Sequence, residues 1–228
     1  DNIPQHYQLA QVDKDGNKHL SYDPYDFGST LPEFDQHLFS SGNHWHIYKK
    51  LGSHLLTVDG IKGVSFSVWA PNAQRVSVIG DFNRWDGRCN PMRNLSNSGI
   101  WEIFIPGLEV GCTYKFEILS QQSDQISVKT DPYAQQFEFR PQTASMVVNE
   151  DHYQWLDSSW MEHRKEHDWI HEAMSIYEVH IGSWRRDEDG NFLNYRELAV
   201  QLVDYVKEMG FTHIELLPIT EHPLDMSW

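Results

Sequence analysis

The chain has 228 residues and a formal net charge of −15, from 18 lysines and arginines against 33 aspartates and glutamates. Phosphate backbones and anionic lipid surfaces repel such an acidic protein, so the composition argues against nucleic acid and membrane partners. Hydrophobic residues make up 39% of the chain without a run of about 18 apolar residues, a pattern typical of a soluble globular protein.

Cysteine usage bears on the compartment. The chain has two cysteines, Cys89 and Cys112. Two thiols do not make the disulfide framework on which small secreted domains depend, so we expect a cytoplasmic protein. A single bridge between them remains open at this stage. The nine tryptophans, ten tyrosines and eleven phenylalanines are many for this length. Most are expected to pack in the interior, and the remainder suit stacking on a sugar ring.

The first 50 residues predict a hairpin followed by a connector. Residues 7–12 alternate in polarity, Gly16 lies in a polar turn, and a second short stretch covers residues 20–22 before Pro24. This pattern is typical of a β-hairpin, which is marginally stable in water without further strands. Residues 29–50 predict a connector that contains one short helix.

A series of short strands follows, and we assign residues 51–150 to a β-sandwich. Turn signals such as Pro71-Asn72 and Pro106-Gly107 separate segments that alternate in polarity or are rich in β-branched and aromatic residues. The segments are residues 64–70, 75–79, 101–105 and 114–118. Several strands at this spacing predict a small antiparallel sandwich.

The period of the pattern changes after a polar linker at residues 151–173. A strand at residues 175–181 precedes a helix with Asn194 as N-cap and Glu197 completing a capping box, and a second strand follows at residues 212–217. Strand, helix and strand with short connections predict a βαβ unit with parallel strands.

One βαβ unit cannot cover both faces of its sheet, so residues 174–228 are expected to be the start of a larger, truncated α/β domain. We therefore expect the apolar side chains of this unit to be poorly covered, with aggregation or disorder after Ala173. The side chains concerned are Leu198, Leu202, Val206 and Leu216.

The loop Gly80–Gly87 is the first candidate binding site. Its polar groups, including Asn83, can hydrogen-bond to sugar hydroxyls while Trp85 supplies a stacking face. Alternatively, Trp85 closes the end of the sandwich and the polar side chains cap turns. From the chemistry of the residues alone, the second interpretation is favoured.

Three histidines offer a candidate metal site. His163, His167 and His171 recur every fourth residue, which on a helix places three imidazoles on one face and could hold zinc. The segment is highly charged, and Arg164 and Lys165 disfavour a cation, so a solvated helix face is the preferred interpretation and no metal is expected.

Glu178 and Glu215 offer a candidate catalytic pair, since they occupy similar positions on the two parallel strands. Adjacent strands lie about 4.8 Å apart, close to the separation of about 5–5.5 Å between the carboxyl groups of a retaining glycosidase. Side chains in the middle of a barrel strand usually point into its packed interior, so this pair is not expected to be catalytic.

Taken together, these motifs resemble those of the bacterial 1,4-α-glucan branching enzyme family. Two segments resemble the first barrel strand and the second strand with its following loop, namely residues 175–186 (SIYEVHIGSWRR) and 211–223 (FTHIELLPITEHP). Upstream segments resemble the carbohydrate-binding module of the family: residues 66–73 (FSVWAPNA), 80–87 (GDFNRWDG), 101–102 (WE) and 129–134 (KTDPYA). Residues 23–28 (DPYDFG) are similar to the end of an additional N-terminal β-domain, which implies that residues 1–28 are its tail.

The resemblance implies a multidomain protein: an all-β immunoglobulin-like sandwich followed by the first βαβ unit of an incomplete (β/α)8 TIM barrel. It implies cleavage of an α-1,4 linkage through a covalent glycosyl-enzyme and transfer to a 6-hydroxyl, giving the α-1,6 branches of glycogen. The family's catalytic carboxylates lie on later strands, so this chain is expected to have no catalytic residue of its own. No cofactor is implied.

The resemblance also assigns binding residues. In related modules the Trp of the loop and the Lys of a Tyr-Lys-Phe strand contact glucan, and Trp85 and Lys115 match them. A second stacking Trp of some relatives has no counterpart in Gln125–Val128. The expected partner is an α-glucan, and the chain is expected to be a monomer.

Two other functions remain open. A non-catalytic glycogen-binding regulatory module is disfavoured by the βαβ unit, for which such a module has no use. A debranching enzyme shares the module and the barrel, whereas His222-Pro223 together with residues 183–186 (SWRR) favours branching.

Overall fold

The computed structural model describes residues 6–95, 98–149 and 153–222, which form two compact units. The first unit contains the described residues up to Asn149 together with residues 221–222, and the second is Tyr153–Thr220. Residues 1–5, 150–152 and 223–228, which belong to segments assigned from the sequence, lie outside the described residues. Among the helices described, none is both long and apolar enough to cross a lipid bilayer.

The first unit begins with the predicted hairpin, now confirmed. Strand β1 (Gln8–Val12) pairs antiparallel with β2 (Lys18–Tyr22). The Asp13 carboxylate accepts hydrogen bonds from the backbone N–H groups of Asp15 and Asn17 and so holds the turn. Behind the hairpin, the Phe27 ring is buried edge-on against Phe104 at 5.0 Å, which joins this segment to the strands that follow.

The connector contains the predicted helix, α1 (Glu33–Ser40), between short 3-10 turns at Pro24–Asp26 and Ile47–Lys49. Leu31 and Leu51 are buried with Leu95 and Ile100, so the connector covers one outer face of the sandwich. Thr30 also donates hydrogen bonds from its backbone N–H and its hydroxyl to the fully buried carboxylate of Glu102.

Two antiparallel sheets form the predicted sandwich, which is confirmed. One sheet has the order β3-β4-β7-β6, with β3 Gly52–Val58, β4 Ile61–Trp69, β6 Arg93–Asn94 and β7 Ile100–Pro106. In the other sheet β8 lies between β5 and β10 and also pairs with β9, with β5 Ala73–Gly80, β8 Thr113–Ser120, β9 Ile126–Lys129 and β10 Ser145–Met146. Alternate residues of both sheets share one core, among them Val64, Phe66, Val78, Trp101, Tyr114 and Phe116. The thiols of Cys89 and Cys112 are both free.

The second unit contains the predicted strand-helix-strand motif. Its elements are α2 Ser158–Glu166, β11 Ile176–Val179, α3 Ile181–Trp184, α4 Tyr195–Glu208 and β12 His213–Leu216. Strands β11 and β12 pair in parallel, as predicted. The capping box is also confirmed, because Asn194 Oδ1 accepts from the backbone of Glu197 while the Glu197 carboxylate accepts from Asn194.

The predicted poor coverage of the helix is wrong for three of the four side chains. Leu198, Leu202 and Val206 are buried, because the apolar face of α4 packs against Val179 and its neighbours on one face of the two-stranded sheet. Leu216, at the end of β12, is exposed as expected.

Candidate functional site

The loop Gly80–Gly87 projects a tryptophan at the end of β5. After the 3-10 turn Asp81–Asn83, Arg84 and Trp85 have φ angles of 57° and 61°, in the left-handed region that bulky residues rarely adopt. Such backbone costs about 1–3 kcal/mol per residue and persists only where the surroundings impose it. The indole of Trp85 is left 40% exposed, so part of its surface is open to a ligand.

Asn83 holds this loop in place. Its Oδ1 accepts from the Gly80 N–H at 2.9 Å, and its Nδ2 donates to Val78 O at 2.9 Å and to Asn90 Oδ1 at 2.8 Å. Both amide N–H donors are thus satisfied within the protein. The structure assigns Asn83 a positioning role under Trp85, and its direct contact with a sugar stays a prediction.

Lys115 lies at the same end of the sheet as this loop. It pairs across the sheet with Ile79, next to Gly80, where the loop begins. Its neighbours Tyr114 and Phe116 point into the core, so the alternation of the strand turns Lys115 to the outer face. Lys115 Nζ donates to Thr143 Oγ1 at 2.8 Å, which uses one of its three N–H donors.

An ion pair, which was not predicted, lies on the same outer face. Glu117, two residues along β8 from Lys115, accepts from Arg75 Nη2 at 2.7 Å. Gly87 is buried where the loop passes this carboxylate. The three residues are 12 to 42 positions apart in sequence, so only the fold could reveal the contact.

The loop ends on an ion pair. The side-chain hydrogen bonds from the Arg88 guanidinium, with that of its backbone N–H, lower the pKa of Asp86 to about 2. Asp86 is therefore a carboxylate at neutral pH and is already occupied by Arg88. Trp85 and Lys115, by contrast, keep groups that are open to a ligand.

A buried hydrogen bond under β8 supports Lys115 from the core side. Tyr114 Oη donates to Asp131 Oδ2 at 2.5 Å, and Asp131 N donates to Ser145 Oγ on β10 at 3.0 Å. Burial raises the pKa of both the Tyr114 hydroxyl and the Asp131 carboxyl. The Asp-Pro-Tyr motif marked this position in the sequence, but its partner could not be inferred from spacing.

The histidine cluster is not assembled. The rings of His163 and His167 lie 5.6 Å apart, but helix α2 ends at Glu166, so His171 does not continue their helix face, contrary to the helical spacing. His167 Nε2 pairs with Glu172 at 3.0 Å and His171 Nδ1 with Asp168 at 2.7 Å. Among the described residues, no group of three or more His, Cys, Asp or Glu side chains could hold a metal ion.

Glu178 and Glu215 do lie directly opposite each other, as predicted, on the parallel strands β11 and β12. Both side chains are exposed. A catalytic pair needs two different environments that separate an acid from a nucleophile, and equal exposure gives no such difference. The arrangement does not support a catalytic role.

A family model of known proteins covers the part of the chain that contains this loop. Residues 50–134 match the family model of carbohydrate-binding module 48 (isoamylase N-terminal domain). That range holds Trp85, Lys115 and Asn83.

Two of the similar curated proteins are 1,4-alpha-glucan branching enzymes GlgB. The chain is 57% identical over 226 residues to that of Nitrosococcus oceani and 55% identical over 226 residues to that of Cellvibrio japonicus. In each case 99% of this chain is covered, against 30% and 31% of the relative. The chain therefore spans about a third of the length of the curated relatives it matches.

Solved structures with a similar fold include the pullulanase of Klebsiella pneumoniae. The apo enzyme aligns with a TM-score of 0.51 and 25% identity, over 74% of this chain and 20% of that one. A second structure of that pullulanase, complexed with maltotriose, aligns with a TM-score of 0.50 and 25% identity, over 74% and 17%.

Proposed function

Because the chain is homologous over 99% of its length to 1,4-alpha-glucan branching enzymes, we propose that it is a segment of such an enzyme and binds its α-glucan. The parent protein cleaves α-1,4 linkages and transfers the released chain to a 6-hydroxyl, forming the α-1,6 branches of glycogen. The carboxylates of this reaction belong to parts of the parent beyond this chain. The chain alone is catalytically inactive.

One observation carries the binding proposal: Trp85 is held out into solvent by two consecutive left-handed residues. An unfavourable backbone maintained by a network of hydrogen bonds is typical of functional sites. The flat apolar face of an indole suits the C–H face of a glucose ring, and an uncharged polymer meets no repulsion from a chain of net charge −15.

Lys115 supplies the hydrogen bonds that complete this site. Its ammonium keeps two N–H donors after its bond to Thr143, and sugar hydroxyls accept such donors. Ring stacking by Trp85 sets the position of a glucose unit, and Lys115 sets which edge of that unit faces the sheet. Asn83 acts at the same site through the loop, and a hydrogen bond that its Oδ1 accepts from a sugar hydroxyl is the smaller part of its role.

We assign the remaining parts of the chain on the same premise. The sandwich, residues 51–150, is an immunoglobulin-like binding module, and residues 1–28 are the end of a further β-domain joined through residues 29–50. After the linker at residues 151–173, residues 174–228 are the first βαβ unit of a (β/α)8 barrel. The parallel pairing of β11 with β12 supports this assignment, since parallel sheets occur in α/β folds with both faces covered. The protein is a cytoplasmic monomer.

A debranching enzyme is the second candidate, supported by the fold shared with pullulanase at 25% identity. The identity of 57% to a branching enzyme favours branching over it. A free-standing regulatory module is the less favoured reading, because the relatives match on both sides of the sandwich.

The test is retardation of the chain in native gels that contain glycogen. We expect the chain to be retarded and the Trp85→Ala variant to be retarded much less at the same glycogen concentration. Trp45→Ala is the matched control, since Trp45 is 86% exposed in the same unit and belongs to no proposed site. Equal retardation of Trp85→Ala and the parent chain would refute a role for Trp85, and no retardation of the parent chain would refute the binding function.

A further inference from the structure

A second exposed tryptophan lies at the opposite end of the sandwich. Trp69 ends β4 and is 55% exposed, more than Trp85. Trp69 precedes the start of β5 by four residues, whereas Trp85 follows its end by five. Eight residues of strand extend over roughly 23 Å at about 3.3 Å per residue, so two different places on the surface present these rings.

Trp69 forms the wall of a groove of about 510 Å³, here called the Trp69 groove. Its lining includes Phe39, Ser40, Trp69, Asn94, Ser98 and Gln121. The Phe39 ring, at the end of α1, packs edge-on against Trp69 with ring centroids 6.1 Å apart. The connector helix therefore fixes the orientation of the indole, and the volume is within the usual range of about 300–1,000 Å³ for ligand pockets.

The backbone of a tight turn closes one side of the groove. Gly99 has a φ angle of +72°, and a β-carbon added there would stand 3.1 Å from Trp69 Nε1 and 2.9 Å from Pro71 Cβ. A glycine at this turn lets the chain pass directly beside the indole. The edge of Trp69 is thus held by Gly99 and Pro71 while a large part of its surface stays open.

The polar groups of the Trp69 groove are uncharged. None of the described residues that line it carries an ionisable side chain. The side-chain amide of Asn94 and the indole N–H of Trp69 make no hydrogen bond to any part of the chain that the structure describes. Gln121 is anchored by its Nε2 on Ala73 O, which leaves its Oε1 as an acceptor.

We propose that the Trp69 groove is a second glycan-binding site, which takes a neutral polysaccharide segment, here another stretch of the same α-glucan. An aromatic face beside amide and hydroxyl groups matches the alternation of C–H faces and hydroxyls on a sugar chain. A charged ligand would find no counter-charge there, and a purely apolar partner would leave the amide of Asn94 without a partner. The identity of the sugar rests on the proposed function, whereas the site rests on this geometry.

Two sites at opposite ends of one module have a consequence for polymers. A branched glucan that occupies one site presents further chains to the other at high effective concentration. The module then binds glycogen far more tightly than it binds a short oligosaccharide, which can fill each site only separately.

The test is calorimetric titration of the chain with maltoheptaose, compared with Trp69→Ala, Trp85→Ala, the double variant and Trp45→Ala. We expect two binding sites in the parent chain and in Trp45→Ala, one in each single variant and none in the double variant. In glycogen gels each single variant should lose on the order of 100-fold in apparent affinity. Thermal unfolding of each variant verifies that it is folded.

Two further variants separate a binding role from a structural one. Trp69→Phe keeps an aromatic face and should retain the second site. Asn94→Ala removes an exposed amide that supports no described contact, so it should leave the unfolding temperature unchanged and weaken binding at that site roughly fivefold, as expected for one neutral hydrogen bond.

The outcomes distinguish the two sites. Two sites in Trp69→Ala, or no binding at all in Trp85→Ala, would overturn the Trp69 groove and leave the proposed function intact. Loss of one site in Trp69→Ala with none lost in Trp85→Ala would support the groove and overturn the site at Trp85. No binding of maltoheptaose or glycogen by the parent chain would overturn both.

Discussion

The α-carbon of Gly87 lies directly against the carboxylate of Glu117, so that a β-carbon added at Gly87 would stand 2.2 Å from Glu117 Oε1. The returning limb of the Trp85 loop therefore rests on the outer face of β8. Since Arg75 holds that carboxylate by an ion pair of 2.7 Å, a side chain at position 87 would have to displace a carboxylate that is already held in place.

This contact predicts a graded response to alanine at two glycines of the loop. Gly87→Ala displaces only a side chain and should lower the free energy of unfolding by about 1–3 kcal/mol. Gly80→Ala should cost more, because its β-carbon would stand 2.2 Å from the backbone carbonyl of Thr113, which cannot move aside. Urea unfolding measures both, and an equal or smaller loss for Gly80→Ala would contradict the packing described.

Removal of the Glu117 side chain should relieve the clash at Gly87. In the Glu117→Ala background, Gly87→Ala should cost less than it does in the parent chain. A double-mutant cycle isolates this coupling, because Glu117→Ala and the double variant both lack the ion pair with Arg75, so that its loss cancels. An unchanged cost of Gly87→Ala would show that another group opposes the added β-carbon.

The positioning role of Asn83 predicts that its removal lowers both stability and glucan binding, whereas removal of the Trp85 side chain mainly lowers binding. Asn83→Ala leaves the Gly80 N–H and two partly buried acceptors without a partner, so it should cost about 1–3 kcal/mol in unfolding free energy and also weaken glucan binding. Trp85→Ala should weaken binding with little change in stability, because the indole is exposed. Calorimetric melting combined with glycogen gels checks both. A weakened affinity of Asn83→Ala at unchanged melting temperature would favour direct contact with the sugar.

Asp131 predicts an unusual dependence of stability on pH. Burial raises the pKa of its carboxyl above the ordinary 3.8, so the protonated form is favoured in the folded state. The stability that this group contributes is fully present below 3.8 and falls as pH rises through the raised pKa. Asp86 has the opposite sign: its pKa is lowered to about 2, so its contribution is present above 3.8 and lost as pH falls towards 2.

Comparison with Asp131→Asn isolates this effect. The amide stays neutral at every pH and still offers an oxygen to the Tyr133 N–H, which now donates to Asp131 Oδ1 at 2.8 Å. The unfolding free energy of Asp131→Asn, relative to the parent chain, should therefore rise between acidic and neutral pH. A difference that stays constant across that range would mean that the carboxyl is not strained by burial.

The helix cap at Asn194 predicts a local effect in the second unit. Asn194→Ala removes the acceptor for the N–H groups of Arg196 and Glu197 and should cost about 1 kcal/mol. Glu197→Gln is the matched control, because glutamine completes a capping box as glutamate does. Hydrogen exchange in α4 should quicken in the first variant and stay unchanged in the second, and equal exchange in both would contradict the cap.

Local patterns predicted the elements of this fold well, and long-range contacts explain what they missed. The alternating polarity of β4 and the capping box of Asn194 and Glu197 each depend only on residues close together in the sequence. Both could therefore be predicted. The burial of Leu198 and Leu202 depends on how far one helix covers a two-stranded sheet, which no periodicity states.

The candidate site shows the same limit. Sequence motifs placed Trp85 and Lys115 at one site. The left-handed backbone under Trp85, the bond of Lys115 to Thr143 and the three partners of Asn83 depend on tertiary contacts. The hydrogen bonds of Asn83 show that it holds the loop, and its direct contact with a sugar stays a prediction.

The most direct test of glucan binding at Trp85 is an NMR titration of the chain with maltoheptaose, following the indole Nε1–H signals of its tryptophans. Tryptophan-to-phenylalanine variants assign the signals of Trp85 and Trp45. We expect the Trp85 signal and the backbone amides of Gly80–Gly87 to shift in a saturable manner while the signal of Trp45 stays still. Saturable shifts elsewhere with an unmoved Trp85 signal, or no shift at all, would contradict the account.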